Sequence, residues 1–100
     1  MFTVIYTFHI RPKSVNSFKK SWKELTNLIY KYEGSLGSRL HKQSEFHYVA
    51  YAQWPDKTTW LNSGSKLPEK ANEIKTIMSN SCLQIETLFE LDIVEDLLKS

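Results

Sequence analysis

One hundred residues, 41% of them hydrophobic and 24% charged, with a formal net charge of +2, describe one ordinary globular domain. The charge is too small to argue for nucleic acid or a membrane surface as partner, and a single cysteine, Cys82, excludes an internal disulfide and cannot build a zinc site. No basic leader and no apolar run of membrane-spanning length is present, so a cytoplasmic protein is expected.

Phe2–Ile10 is rich in β-branched and aromatic residues and reads as a strand. Phe2, Val4, Tyr6 and Phe8 share one of its faces, and Thr3, Ile5, Thr7 and His9 the other. Arg11-Pro12-Lys13 breaks it, and Ser14 is placed to cap the next element. Val15, Phe18, Trp22, Leu25, Ile29 and Tyr32 recur at spacings of three and four, which is the stripe of an amphipathic helix, with Gly34 as its C-terminal glycine. Lys19, Lys20 and Lys23 form a solvated face of that helix.

The spacing predicts a second strand over 36–42, a hairpin loop at 43–45, and a third strand over 46–54 with Tyr48, Ala50, Ala52 and Trp54 on one face. Asp56 caps a short helix carrying Trp60 and Leu61 and closed by Gly64. Pro68 opens a third helix with Ala71, Ile74, Ile77 and Met78, and 82–91 is the last strand. Its alternation slips at Leu88-Phe89, as a bulge would make it do. Within the tail, acidic residues three apart and apolar pairs four apart predict one amphipathic turn of helix.

The order is β-α-β-β-α-β, that of an α+β, ferredoxin-like fold with helices over one sheet face. Phe2, Val4, Tyr6, Phe8, Tyr48 and Trp54 form a sheet face too apolar to leave wet, and one chain has nothing left to cover it. A homodimer is therefore expected, two sheets packing face to face into a dimeric α/β barrel.

Several segments in chain order carry a resemblance: Arg11-Pro12-Lys13, Trp22-Lys23-Glu24-Leu25, the run from Glu33 through Gly34, Gly37 and Arg39 to His41, and Tyr51-Ala52-Gln53-Trp54-Pro55-Asp56, with Trp60 six residues past Trp54. Over nearly its whole length the chain resembles the antibiotic biosynthesis monooxygenase superfamily. The resemblance implies a small dimeric protein with an apolar cavity in each subunit, some of whose relatives oxidise polycyclic aromatics to quinones without flavin or metal. In such enzymes the substrate supplies a stabilised carbanion that reacts with oxygen, and the protein orients it and polarises its carbonyl. As the sequences align, Trp54 keeps the subgroup's strand-end Trp, Ala50 stands in an Asn position, Trp60 in a Tyr position, and Lys75 near an Arg. A second subgroup degrades haem through an axial His on the late helix. No histidine follows His47, so haem degradation is disfavoured.

The residues expected to bind a small apolar or aromatic substrate are Tyr6, Phe8, Tyr48, Trp54 and Trp60. Tyr6 and Tyr48 are the phenols able to pass protons in an apolar pocket. Each of the five also has a plainer reading as a core or interface aromatic. Trp22 is read as core, Cys82 as a small buried side chain, and His9 as structural. His41 and His47 flank the hairpin without metal-ligand spacing, so no metal is expected. No nucleophile–histidine–acid set, paired carboxylates or phosphate loop is found. The expectation is a cofactor-independent monooxygenase, with a non-catalytic ligand-binding or interaction module of the same fold as the alternative.

Overall fold

A computed structural model describes residues 1–98. The elements are β1 (Phe2–Ile10), α1 (Val15–Glu33), β2 (Gly37–Ser44), β3 (His47–Trp54), α2 (Lys57–Leu61), α3 (Lys70–Asn80) and β4 (Cys82–Asp92). The strands pair antiparallel in the order β2-β3-β1-β4, the ferredoxin-like arrangement.

Local chemistry accounts for most of the boundaries. Ser14 sits at the start of α1 but its hydroxyl caps nothing; its carbonyl accepts the Phe18 N–H at 2.8 Å. Gly34 ends α1 in the left-handed region at φ 79°, and a Cβ there would meet Thr59 Cγ2 at 3.3 Å, so glycine serves both the turn and the close approach of α2. Asp56 caps α2, accepting the Thr59 backbone N–H and hydroxyl at 2.7 Å each, and these bonds hold its carboxyl below the usual range. The β2–β3 turn is tighter than the sequence suggests: Gln43 and Ser44 belong to β2, Ser44 pairs with His47 after a register shift, and only Glu45 and Phe46 form the turn. The expected slip in β4 is real: its register against β1 shifts between Ile5 and Tyr6, at Leu88.

Helix α1 lies over the sheet and α3 packs beside it. Phe18 is fully buried between Phe8 and Tyr48, with ring centroids 4.9 and 5.7 Å away. Leu25 and Leu28 face Ala71 of α3. The α1 stripe is therefore broader than read from sequence: Ser21 and Leu28 are buried in it, while Tyr32 is exposed.

One assignment is corrected. Phe2, Val4, Tyr6, Phe8, Tyr48 and Trp54, expected to await a second subunit, instead form the inner face of the sheet under the chain's own helices. A helix stripe and a sheet face are both apolar in sequence, and only packing says that they cover each other. The outer face carries Thr3, Ile5, Thr7 and His9 with their register partners Gln53, Tyr51, Val49 and His47 on β3, and Leu91, Phe89, Glu86 and Gln84 on β4. A second correction concerns the tail. Residues 93–98 contain no helix; Ile93 N–H instead donates to the Met1 carbonyl at 2.9 Å, and Val94, Leu97 and Leu98 are exposed. A single amphipathic turn with no surface to lie against does not recover the cost of helix nucleation.

The last residue of α1 also holds the connection between α2 and α3. The buried Glu33 carboxylate accepts the backbone N–H groups of Gly64 at 2.5 Å and Lys66 at 3.1 Å. Truncation in Glu33→Ala strips two buried backbone donors of a charged acceptor and is expected to lower stability by about 2–3 kcal/mol. Urea unfolding measures this, and unchanged stability would show that the connection holds itself.

Candidate active site

On the inner face of β3 two small side chains lie between two large ones: Tyr48, Ala50, Ala52, Trp54. The rings at the two ends hold α1 off the sheet, and the two alanines leave a hollow between them. The result is a cavity of about 160 Å³. Its floor includes Tyr6, Phe8, Ala50, Ala52 and Trp54, and Trp22, Leu25 and Ile29 of α1 form its roof. Met78 and Ile85 close one flank, and Thr26, Ser35 and Ser38 bring the only aliphatic hydroxyls. No carboxylate, imidazole or amine lines it, and Tyr6 is its one proton-donating phenol.

Two polar atoms set its chemistry. The indole Nε1–H of Trp54 is buried without a hydrogen-bond partner among the described residues, on a side chain only 3% exposed. Such a donor ordinarily costs ~1–3 kcal/mol if left unpaired, so in a functional protein it points to an acceptor supplied from outside the chain. The Tyr6 hydroxyl oxygen accepts the indole Nε1–H of Trp60 at 2.8 Å, which leaves its own proton to be donated. Burial pushes the Tyr6 phenol above its ordinary value of 10.0; the Trp60 bond opposes this and the negative charge of Glu90 adds to it. At neutral pH the polar groups carried by these two lining residues are thus both neutral donors, an indole and a phenol.

Of the five residues expected at the site, Tyr6, Phe8 and Trp54 line the cavity. Tyr48 faces the same way but packs against Phe18 in the core. Trp60 lies outside the lining, its ring 5.7 Å from that of Phe2, and touches the site through its bond to Tyr6. Trp22, read as core, is half-buried and forms part of the roof. Sequence reasoning missed Ala50 and Ala52 as the makers of the space. The signal was present in their position between two large aromatics at a period of two, but an alanine in a strand gives no notice of what lies opposite.

Elsewhere, Cys82 is a buried thiol that burial pushes up to about 11, with nearby Arg11 opposing, so it stays protonated within the core cluster of Phe8 and Phe18. His9 and His47 stack on the outer face with centroids 4.1 Å apart, and His47 Nε2 hydrogen-bonds Thr7 Oγ1. His41 Nδ1 lies 3.2 Å from the Val49 carbonyl. Among the described residues no group of three or more His, Cys, Asp or Glu is placed to hold a metal, and no helix is long and apolar enough to cross a membrane.

No family model matches the sequence, and no curated protein does. Solved structures do match its backbone. A crystal structure of an antibiotic biosynthesis monooxygenase superposes with a TM-score of 0.74 at 18% identity, covering 95% of this chain and 100% of that one. SnoaB, a cofactor-independent oxygenase from Streptomyces nogalater, superposes with a TM-score of 0.78 at 13% identity, covering 98% and 97%. A conserved protein from Methanosarcina mazei Go1 reaches 0.69 at 16% identity over 87% and 89%. What is shared at such identities is the arrangement of the backbone: this chain has the fold of the antibiotic biosynthesis monooxygenases.

Proposed function

We propose that this protein is a cofactor-independent monooxygenase acting on a small aromatic substrate that carries an oxygen. The buried, unpartnered N–H of Trp54, a residue that lines the apolar cavity, carries the reading. Together with the Tyr6 O–H it offers donors to one substrate oxygen, where negative charge develops when the substrate ionises. The lining holds no carboxylate, imidazole or amine among the described residues, so the phenolic proton passes to solvent water and is returned to the peroxide oxygen that later departs. For a phenol, the ring carbon of the phenolate gives its electron pair to dioxygen. The hydroperoxide formed loses water and leaves a quinone. The O–H, one C–H and the O–O bond break, and one C–O bond and the O–H bonds of water form; one oxygen atom stays in the product and the other leaves as water, so no external reductant is needed. The resemblance to SnoaB in fold supports this chemistry, and the exclusion of water by an apolar lining favours it.

The active unit is read as a homodimer that uses the outer sheet face. Among the residues of β4 only Cys82 is buried. Phe89 and Leu91 sit on the outer face beside Ile5 and Tyr51, and the tail extends further exposed apolar side chains. A long edge strand bare on both faces is a surface that natural proteins cover, and a second copy meeting it about a two-fold axis covers it economically.

Chelator-treated, flavin-free protein should consume oxygen with a suitable hydroxyarene, and Trp54→Phe should lower kcat on the order of 10²-fold while the fold is kept. Binding without turnover across a broad substrate panel would instead favour a ligand-binding module. Replacing Trp60 by Phe removes the donor that lowers the Tyr6 phenol, so phenolate absorbance attributable to Tyr6, read as the difference from Tyr6→Phe, should appear at higher pH in Trp60→Phe than in wild type. An unshifted titration would detach Trp60 from the site. At micromolar concentration the protein should sediment at twice its chain mass, and Phe89→Glu should yield a folded monomer; a monomeric wild type would remove the barrel.

A further inference from the structure

Resting on the same reading of the cavity, we propose that this site is built for a single aromatic ring bearing an oxygen, a phenol, rather than for a fused polycycle. The space decides the size. The cavity is about 160 Å³, close to the ~150 Å³ of an engineered apolar cavity that stays dry and takes up benzene. A three-ring compound is bulkier than the benzene that fills such a cavity and needs more space than this one holds.

The walls decide the shape. The hollow is a slot between the sheet floor at Ala50 and Ala52, which are almost fully buried, and the roof of Trp22, Leu25 and Ile29. Its length is bounded by rings: Phe8 at one end is held by Phe18, and Trp54 at the other is packed with Phe2 and Val4. Lengthening the slot means displacing one of these buried aromatics, and a close-packed interior resists that. A flat ring against Tyr6, Phe8, Trp22 and Trp54 gains stacking and edge contacts that an aliphatic ligand does not.

The polar atoms decide the substituent. Trp54 Nε1–H is a buried donor with no acceptor among the described residues. The Tyr6 hydroxyl, with Trp60 occupying its acceptor side, presents a second donor. A hydrocarbon would leave the indole unpaired, and a ligand that enters already charged, such as a carboxylate, would lose its hydration with no cation in the lining to replace it. A neutral phenol oxygen satisfies the indole and keeps the apolar body of the ligand in apolar surroundings.

The experiment titrates 4-methylphenol, 1-naphthol and anthrone into the full chain and follows the Trp54 indole N–H resonance by NMR, assigned from the signal missing in Trp54→Phe. The expected result is that 4-methylphenol moves that resonance and binds at least tenfold more tightly than anthrone, with 1-naphthol between them. Filling the floor in Ala50→Val or Ala52→Val should weaken 4-methylphenol at least tenfold in whichever variant keeps the wild-type unfolding midpoint. Anthrone binding as tightly as 4-methylphenol, with the resonance moved, overturns the single-ring proposal while the aromatic monooxygenase reading stands. A Trp54 resonance that no compound moves overturns both.

Discussion

The structure depends on one packing constraint: the inner face of β3 carries two alanines between Tyr48 and Trp54. A helix laid over a sheet normally interdigitates with it to crystal-like density. Here α1 is held at the height set by the aromatic pairs at the ends of the slot, Phe18 against Phe8 and Tyr48 on one side and the Phe2–Trp54 cluster on the other. Between them Ala50 and Ala52 are too short to reach the roof. The cavity arises from the difference in side-chain length along one strand, without strained backbone: among the described residues only glycines have positive φ.

The devices around the cavity serve to keep its polar edge in place. Trp60 rides on α2, a five-residue helix too short to be stable by itself. Asp56 fixes its start, Gly34 lets it approach α1, and the Glu33 carboxylate ties down the segment after it. With α2 so held, the Trp60 indole meets the Tyr6 hydroxyl and fixes which way that phenol donates. A polar arrangement of one phenol and two indoles is assembled from β1 at the start of the chain and the consecutive elements β3 and α2, at the edge of an apolar lining. Low polarity of the surroundings makes each of these donors count for more than it would in water.

The same packing turns the other sheet face into the question of assembly. Once α1 has covered the inner face, β4 is left with exposed side chains on both sides after Cys82, and Leu83, Leu88, Phe89 and Leu91, with the apolar residues of the tail, stay largely exposed. A bulge at Leu88 re-aims Phe89 and Leu91 so that they stand beside Ile5 and Thr3. Without it they would fall on the inner side, where Glu90 now stands beside Val4 and meets Lys57 of α2 at 3.4 Å.

How much of this was legible depends on the range of the interaction concerned. The strand and helix order, the αL glycine at 34, the Asp56 cap and the slip at Leu88-Phe89 were all readable, because each is decided by neighbours within a few residues: period of two or 3.6, a short side chain beside a free N–H, a glycine at positive φ. The resemblance placed Trp54 at a strand end and Trp60 beyond it, and Tyr6 and Phe8 were inferred from sharing a strand face. What the sequence could not say was which apolar surface covers which. Read alone, the sequence makes the inner face a subunit interface, Tyr48 a wall and the tail a helix, where the structure has the chain's own helices over that face, Tyr48 in the core and no helix in 93–98. The tertiary structure alone decided these, and with them the hollow over Ala50 and Ala52, because alternation along a strand records that a face is buried and carries no record of the height, identity or absence of the side chain that buries it.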